Sequence, residues 1–310
     1  MIERGVGETR CARIVDGEIA EARILVDGVV RAGDILDARL KQAARPTIAE
    51  AGGEEYLMPN GAAGTTEGAA LKIEVIREAI PGIEPWKRPL ARLSGEAAEG
   101  IPELSGETVP FPGSNDPLAA AGWSDLLDEA RSGIVQFPGG ELRLSATPAM
   151  TLIDVDGHLP AAELAMAGAR AAARTILRHD IGGSIGVDLP TVAGKADRQA
   201  IGERVDAILP KPFERTAVNG FGFLQIVRPR RRASLVELAT DRAPFEARAL
   251  LRRAALEPPG AKTLVAHPAL VAVLQSHPEW IAQLARQVGG TVSLRSDPAL
   301  PISGAHAESV

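Results

Sequence analysis

The sequence predicts an α/β chain of the multi-subdomain α+β kind, and three observations point that way. Short alternating segments broken by turn residues fill positions 35–93, the texture of a small β-barrel. An apolar segment, an alanine-rich helix and a second apolar segment follow one another across 149–188, as in a parallel strand–helix–strand unit. The tail alternates helix, strand, helix and strand over 245–295, which reads as a small α/β unit of its own.

Taken in order, residues 13–15 and 21–26 form a hairpin around Asp16-Gly17, and Asp27-Gly28 makes a second turn. In the barrel the strands are expected at 35–40, 47–51, 56–58 and 70–77, with Gly52-Gly53 and Asn60-Gly61 as turns. Positions 94–122 hold five glycines, four prolines and five acids without one Lys or Arg, so they read as a linker or disordered loop. Order resumes near Trp123 with a hairpin of 134–137 and 142–144 around Gly139-Gly140. A strand at 149–155 comes next, and Pro160 opens a helix carrying Leu164, Gly168, Ala172 and Ile176 on one stripe. A strand at 184–188, a helix at 195–209 and a strand at 221–227 complete this part. In the tail, helix 245–256, strand 263–266, helix 268–288 and strand 291–295 are expected, and the last ten residues look loose. His267 reads as a helix-start residue.

Composition narrows the function. The chain is 310 residues long and 45% apolar, enough for two or three compact units. No run approaches twenty apolar residues and the first ten are polar, so a cytoplasmic protein with no membrane span and no secretory signal is expected. One cysteine, Cys11, excludes an internal disulfide framework and a cysteine-based zinc cluster within one chain. Net charge is −6, which is unpromising for a nucleic-acid partner, yet positions 204–253 hold eleven Lys and Arg against five Asp and Glu. Arg228, Arg230, Arg231 and Arg232 are the densest part of that stretch, either a basic track for phosphates or a solvated turn.

The chemistry centres on carboxylates. Asp154 and Asp188 each close an apolar strand, and one helical crossover separates them. Parallel neighbours then place both at one carboxyl edge, where sites of open α/β sheets lie. Two adjacent carboxylates repel unless a proton or cation sits between them, and hard oxygen donors favour Mg²⁺, with Mn²⁺ as the alternative. Asp at a strand end is also a common turn or cap residue, so spacing leaves the metal reading and the structural one level.

The motifs themselves bear a family likeness. The run from Gly139-Gly140-Glu141-Leu142-Arg143 through Thr147-Pro148-Ala149 to Ile153-Asp154-Val155-Asp156-Gly157 resembles the catalytic-core entry of the ribonuclease E/G family. So do Ile181-Gly182-Gly183-Ser184-Ile185-Gly186-Val187-Asp188 and Glu214-Arg215-Thr216-Ala217 leading to Phe221-Gly222-Phe223-Leu224, in the same order and spacing. The likeness is strongest over 130–235.

The resemblance implies an endoribonuclease that cuts single-stranded RNA with Mg²⁺, leaving 5′-phosphate and 3′-hydroxyl ends. It makes Asp154 and Asp188 the metal ligands, with Asp156 assisting where the family usually has Asn. It implies an RNase H-like subdomain (1–34 with 123–147), an S1-type OB barrel (35–93), a DNase I-like catalytic subdomain (148–240) and a small C-terminal domain (241–310). Lys87 falls where the family has an RNA-contacting lysine. Arg88, Tyr56 and Trp86 are further barrel candidates, and Arg215, Arg228, Arg230 and Arg231 are candidates for phosphate contacts. The family's 5′-monophosphate sensor has no counterpart beyond the acidic linker at 94–122, and its zinc-sharing cysteines are missing after Arg232. Any homodimer would therefore form without zinc, and control by the RNA 5′ end is expected to be lost. The competing expectation is a catalytically silent RNA-binding protein with the same fold.

Overall fold

The computed structural model describes residues 1–82, 87–95, 106–113 and 115–309. The chain opens with β1 (Ile2–Arg4), β2 (Glu8–Val15) and β3 (Glu18–Val26). Five strands follow: β4 (Ile35–Gln42), β5 (Ile48–Ala51), β6 (Glu54–Leu57), β7 (Ala70–Arg77) and β8 (Leu90–Leu93). After β9 (Thr108–Val109), α1 (Pro117–Ala120) and α2 (Trp123–Ser132) come β10 (Ile134–Phe137), β11 (Gly140–Ala146) and β12 (Thr151–Gly157). Next are α3 (Ala161–Arg178), β13 (Gly183–Asp188), α4 (Lys195–Asp206), β14 (Glu214–Arg215), β15 (Phe223–Arg228) and α5 (Leu235–Thr240). The tail holds α6 (Arg242–Leu256), β16 (Lys262–Ala266), α7 (Pro268–Ser276), α8 (Pro278–Val288), β17 (Val292–Ser296) and β18 (His306–Ser309).

The molecule is a mixed α/β chain with a closed five-stranded barrel and several sheets, divided into two compact units. Among the described residues no helix is long and apolar enough to cross a membrane.

The first unit joins Met1–Asp27, Gly106–Trp123 and Leu238–Val310. It contains a sheet in the order β3-β2-β1-β9 and a second sheet in the order β17-β16-β18. Val6 shares a core with Leu250, Leu264, Leu274 and Leu284, so the tail is packed together with the chain's start. Where one helix was expected at 268–288 there are two. Pro278 has no N–H to give and restricts His277, whose backbone turns out of the helix at φ −125° and ψ 65°. His267 caps α7 as expected, its Nδ1 accepting from the Ala269 N–H. The last residues, read as loose, form β18 and pair antiparallel with β16. β9 and α1 fall inside the stretch read as linker; α1 starts at a proline behind an Asp116 cap that accepts from the Ala119 N–H.

The second unit joins Gly28–Ser105 and Ser124–Glu237. Its barrel closes in the order β4-β5-β6-β8-β7, with β6 and β8 parallel, which is compatible with an OB-type fold. Leu40, Ala49, Tyr56, Ile73, Val75 and Ala91 fill it. Its six-stranded sheet runs β10-β11-β12-β13-β15-β14. The β12–α3–β13 crossover makes the parallel pair at the centre, and the neighbours on either side are antiparallel. One face carries α3, whose stripe of Leu164, Gly168, Ala172 and Ile176 is buried. Gly168 allows the close approach, because a Cβ there would overlap Val155. On the other face Leu152, Asp154 and Asp156 of β12 are exposed.

His179, at the end of α3, is fully buried with Nε2 2.9 Å from Glu129 Oε2. Burial holds its pKa below the ordinary value, against the pull of Glu129. The folded protein therefore keeps it neutral while the unfolded chain protonates from about pH 6.5 downward, so stability falls as pH drops below that value. Thermal unfolding followed between pH 7 and 5 is expected to show a shallower pH slope in His179→Gln than in the unaltered chain; equal slopes would remove His179 from the account.

Candidate active site

Alternation along β12 decides which side chains reach the exposed face. Thr151, Ile153 and Val155 are buried against the helices, while Leu152, Asp154 and Asp156 are exposed on the other side. β13 lies parallel in a register that sets Asp188 directly against Asp154. Paired residues of neighbouring strands share a face, so the two aspartates stand side by side at the carboxyl edge of the central pair. On the far side, β11 sets Arg143 against Asp154 and Glu141 against Asp156. Phe223 of β15 stands opposite Asp188.

The electrostatics match this placement. Partial burial, then the charges of Asp156 and Asp188, push the Asp154 carboxyl above its ordinary value. Arg143 is the nearby counter-charge, with Nε 3.6 Å from Asp156 and a guanidinium nitrogen 2.7 Å from Glu141. Sequence reasoning missed Arg143, although hairpin register and strand alternation together place it beside the aspartates. A cleft of about 340 Å³ borders this corner, lined by Gln136, Phe137, Glu141, Asp156 and His158.

Among the described residues no group of three or more His, Cys, Asp and Glu side chains is arranged to hold a metal ion. The protein offers instead two carboxylates in register, with a third on the same strand face. That donor set suits a hard divalent cation that keeps most of its water, as Mg²⁺ does.

The arginines expected at phosphates are mostly committed elsewhere. Arg215 is bidentate to Asp206 at 2.7 and 2.5 Å. Arg228 donates to the Ile181 carbonyl and Arg230 pairs with Glu237. Arg232 lies 3.3 Å from Asp180 and 3.5 Å from Glu78, and the Arg231 carbonyl accepts from the Glu78 N–H. The arginine run thus stitches the end of β15 to α3 and the barrel, which the surplus of positive charge in the sequence could not reveal. The Arg231 side chain is exposed.

On the barrel, Lys87 and Arg88 lie in the connection between β7 and β8, and Arg88 is 2.7 Å from Glu55. In OB folds the connection between strands four and five is one of the ligand-binding loops. Tyr56, read as a stacking candidate, is 1% exposed in the barrel core with its hydroxyl near Glu54, so its ring offers no stacking surface. Alternation in β6 points it inward. Trp86 lies outside the described residues.

Compared with protein-family models and with curated proteins, the chain finds no match.

Proposed function

We propose that the chain is a Mg²⁺-dependent endoribonuclease acting on single-stranded RNA. The observation that carries this is the register of Asp154 against Asp188 on adjacent parallel strands, with the Asp154 carboxyl pushed up by partial burial and then by Asp156 and Asp188. A scaffold gains nothing from setting two carboxylates together, whereas a cation turns their repulsion into binding. The motif likeness to the ribonuclease E/G family supplies the substrate. On that reading the six-stranded sheet is the DNase I-like catalytic part, the barrel the S1-type domain, and the β1–β3 hairpin region with 123–147 the RNase H-like part.

Asp154 and Asp188 would hold the ion, and Asp156 would orient it from the same strand face. Bound there, Mg²⁺ would supply positive charge for the phosphodiester and lower the pKa of the attacking water. Water adds to phosphorus, the P–O3′ bond breaks, and the 3′ oxygen leaves with a proton as a hydroxyl. Arg143 stands where it can meet phosphate charge on the same face. Incubating single-stranded RNA with the protein in Mg²⁺ and in EDTA tests the reading: internal cuts in Mg²⁺ alone are expected, and intact RNA in both would overturn it.

The second reading is a silent RNA-binding protein. It is favoured by the engagement of Arg215, Arg228 and Arg230 within the fold and by the small donor set. RNA bound tightly and left intact in Mg²⁺ would establish it.

Thermal unfolding offers a check that needs no substrate. Because the raised pKa disfavours the charged form of Asp154, metal-free protein loses stability as pH rises through that value, and Asp154→Asn is expected to unfold at a higher temperature in EDTA. Mg²⁺ at ten times its dissociation constant should stabilise the unaltered chain by about 1.4 kcal/mol. The same Mg²⁺ should leave the Asp154→Asn, Asp188→Asn double variant unmoved; equal shifts would place the cation elsewhere.

A further inference from the structure

We propose that Phe221 is a platform on which a base of the bound RNA stacks beside the phosphate to be cut; this rests on the ribonuclease reading of the Asp154–Asp188 pair. Phe221 is 84% exposed, while every other Phe, Tyr and Trp among the described residues is buried or half-buried. The ring is in water, yet its backbone is firmly fixed. Asn219 Oδ1 accepts from the N–H of Phe221 at 2.9 Å and of Phe223 at 3.0 Å. Thr191 Oγ1 donates to the Phe221 carbonyl. Gly222 takes φ +92°, and a Cβ there would collide with the Leu189 carbonyl oxygen.

These contacts tie the turn to the residues directly after Asp188. The Leu189 N–H donates to the Gly222 carbonyl, and Phe223 is the register partner of Asp188. The Phe223 ring covers Gly186, where a Cβ would lie 2.6 Å from its tip and 3.0 Å from Leu152. Leu152 and Phe223 therefore form an apolar floor over Gly186 on the face of the aspartates, and Phe221 lies two residues before Phe223 in the chain.

The occupant follows from chemistry. Asn219, Gly220 and Thr191 of the same turn region are exposed and polar or bare, so polar groups border the residue on that side. A flat ring at a fixed offset from a phosphate-handling pair suits a nucleobase, and stacking on it would tolerate any base. It would also supply an aromatic surface that Tyr56, turned inward, does not.

Binding of a fluorescent RNA decamer, and of an abasic ribose-phosphate oligomer of equal length, separates the possibilities when measured on the full chain in EDTA, which stops metal-dependent cutting. Phe221→Ala is expected to weaken RNA binding about tenfold or more and to leave the abasic oligomer unchanged, and Phe221→Trp is expected to restore RNA binding. Trp emission in Phe221→Trp should respond to RNA and not to the abasic oligomer. Equal binding of RNA by Phe221→Ala and the unaltered chain would overturn the platform alone. Failure of the unaltered chain to bind RNA would overturn the ribonuclease reading and the platform with it.

Discussion

Replacing Asp154 and Asp188 together by asparagine is expected to lower Mg²⁺-dependent RNA cleavage about a thousandfold or more. Each substitution keeps the shape of the side chain and removes one hard anionic donor. Losing the ion forfeits several kcal/mol of charge stabilisation in the transition state, and each 1.36 kcal/mol is a factor of ten in rate. Both residues are exposed, Asp188 at the end of β13 and Asp154 in the middle of β12, where the strand runs on to Gly157, so the fold should survive, and an unfolding temperature at or above that of the unaltered chain in EDTA would verify this. The single variants are expected to lose nearly as much as the double, because two ligands of one ion act as a unit. Asp156→Asn is different. It installs the residue that the resembling family usually has there, and it relieves part of the repulsion on Asp154. It should keep cleavage within about tenfold of the unaltered chain, on the scale of adjusting rather than removing a metal's surroundings. Cleavage unchanged in the double variant would end the proposal.

The carboxylate pair was readable because strand–helix–strand connectivity and period-two alternation are local rules. An apolar strand ending in Asp on either side of one crossover leaves a single parallel register that matters, and the Asp154–Asp188 pairing has it. Most strands of the barrel were readable for a similar reason, since turn residues mark their ends; β8 was not, being only four residues long. What sequence reasoning missed depends on partners distant along the chain. Arg228, Arg230 and Arg232 read as a basic track, but Ile181, Glu237, Asp180 and Glu78 consume them, and charge counting cannot see which carboxylates will be close. Tyr56 was a stacking candidate through the family likeness alone, and the β6 pleat turns it into the core. β18 looked like a ragged terminus and is held by a strand more than forty positions earlier.

The second large effect is expected far from the aspartates in sequence, at a set of buried charges in the first unit. Glu3 accepts from Arg10 at 2.6 Å and from Arg252 at 2.9 and 3.0 Å. Glu8 accepts from Arg10 at 2.7 Å and from Arg248 at 2.9 Å, and Asp116 accepts from Arg252 at 2.7 Å. The Phe111 ring lies 5.5 and 5.6 Å from the Arg10 and Arg252 guanidiniums. Three carboxylates meet three guanidiniums, and all but Asp116 belong to residues classed as buried. Burial works to raise the Asp116 pKa, yet hydrogen bonds from Arg252 and the Ala119 N–H hold it below the ordinary value, so its contribution is present above about pH 3.8 and is lost as pH falls further. Arg252→Met leaves Glu3 with one partner and Asp116 without its guanidinium. Breaking a buried set in this way costs about 3–5 kcal/mol, a large share of the 5–15 kcal/mol typical of a fold. Thermal unfolding should fall by roughly 10 °C. Adding Asp116→Asn to Arg252→Met should recover part of that loss, because it removes the carboxylate left without its guanidinium while Glu3 keeps Arg10. If Arg252→Met unfolded with the unaltered chain, water would have to be reaching these carboxylates, and the pairing would carry no more weight than an exposed ion pair worth under about 1 kcal/mol.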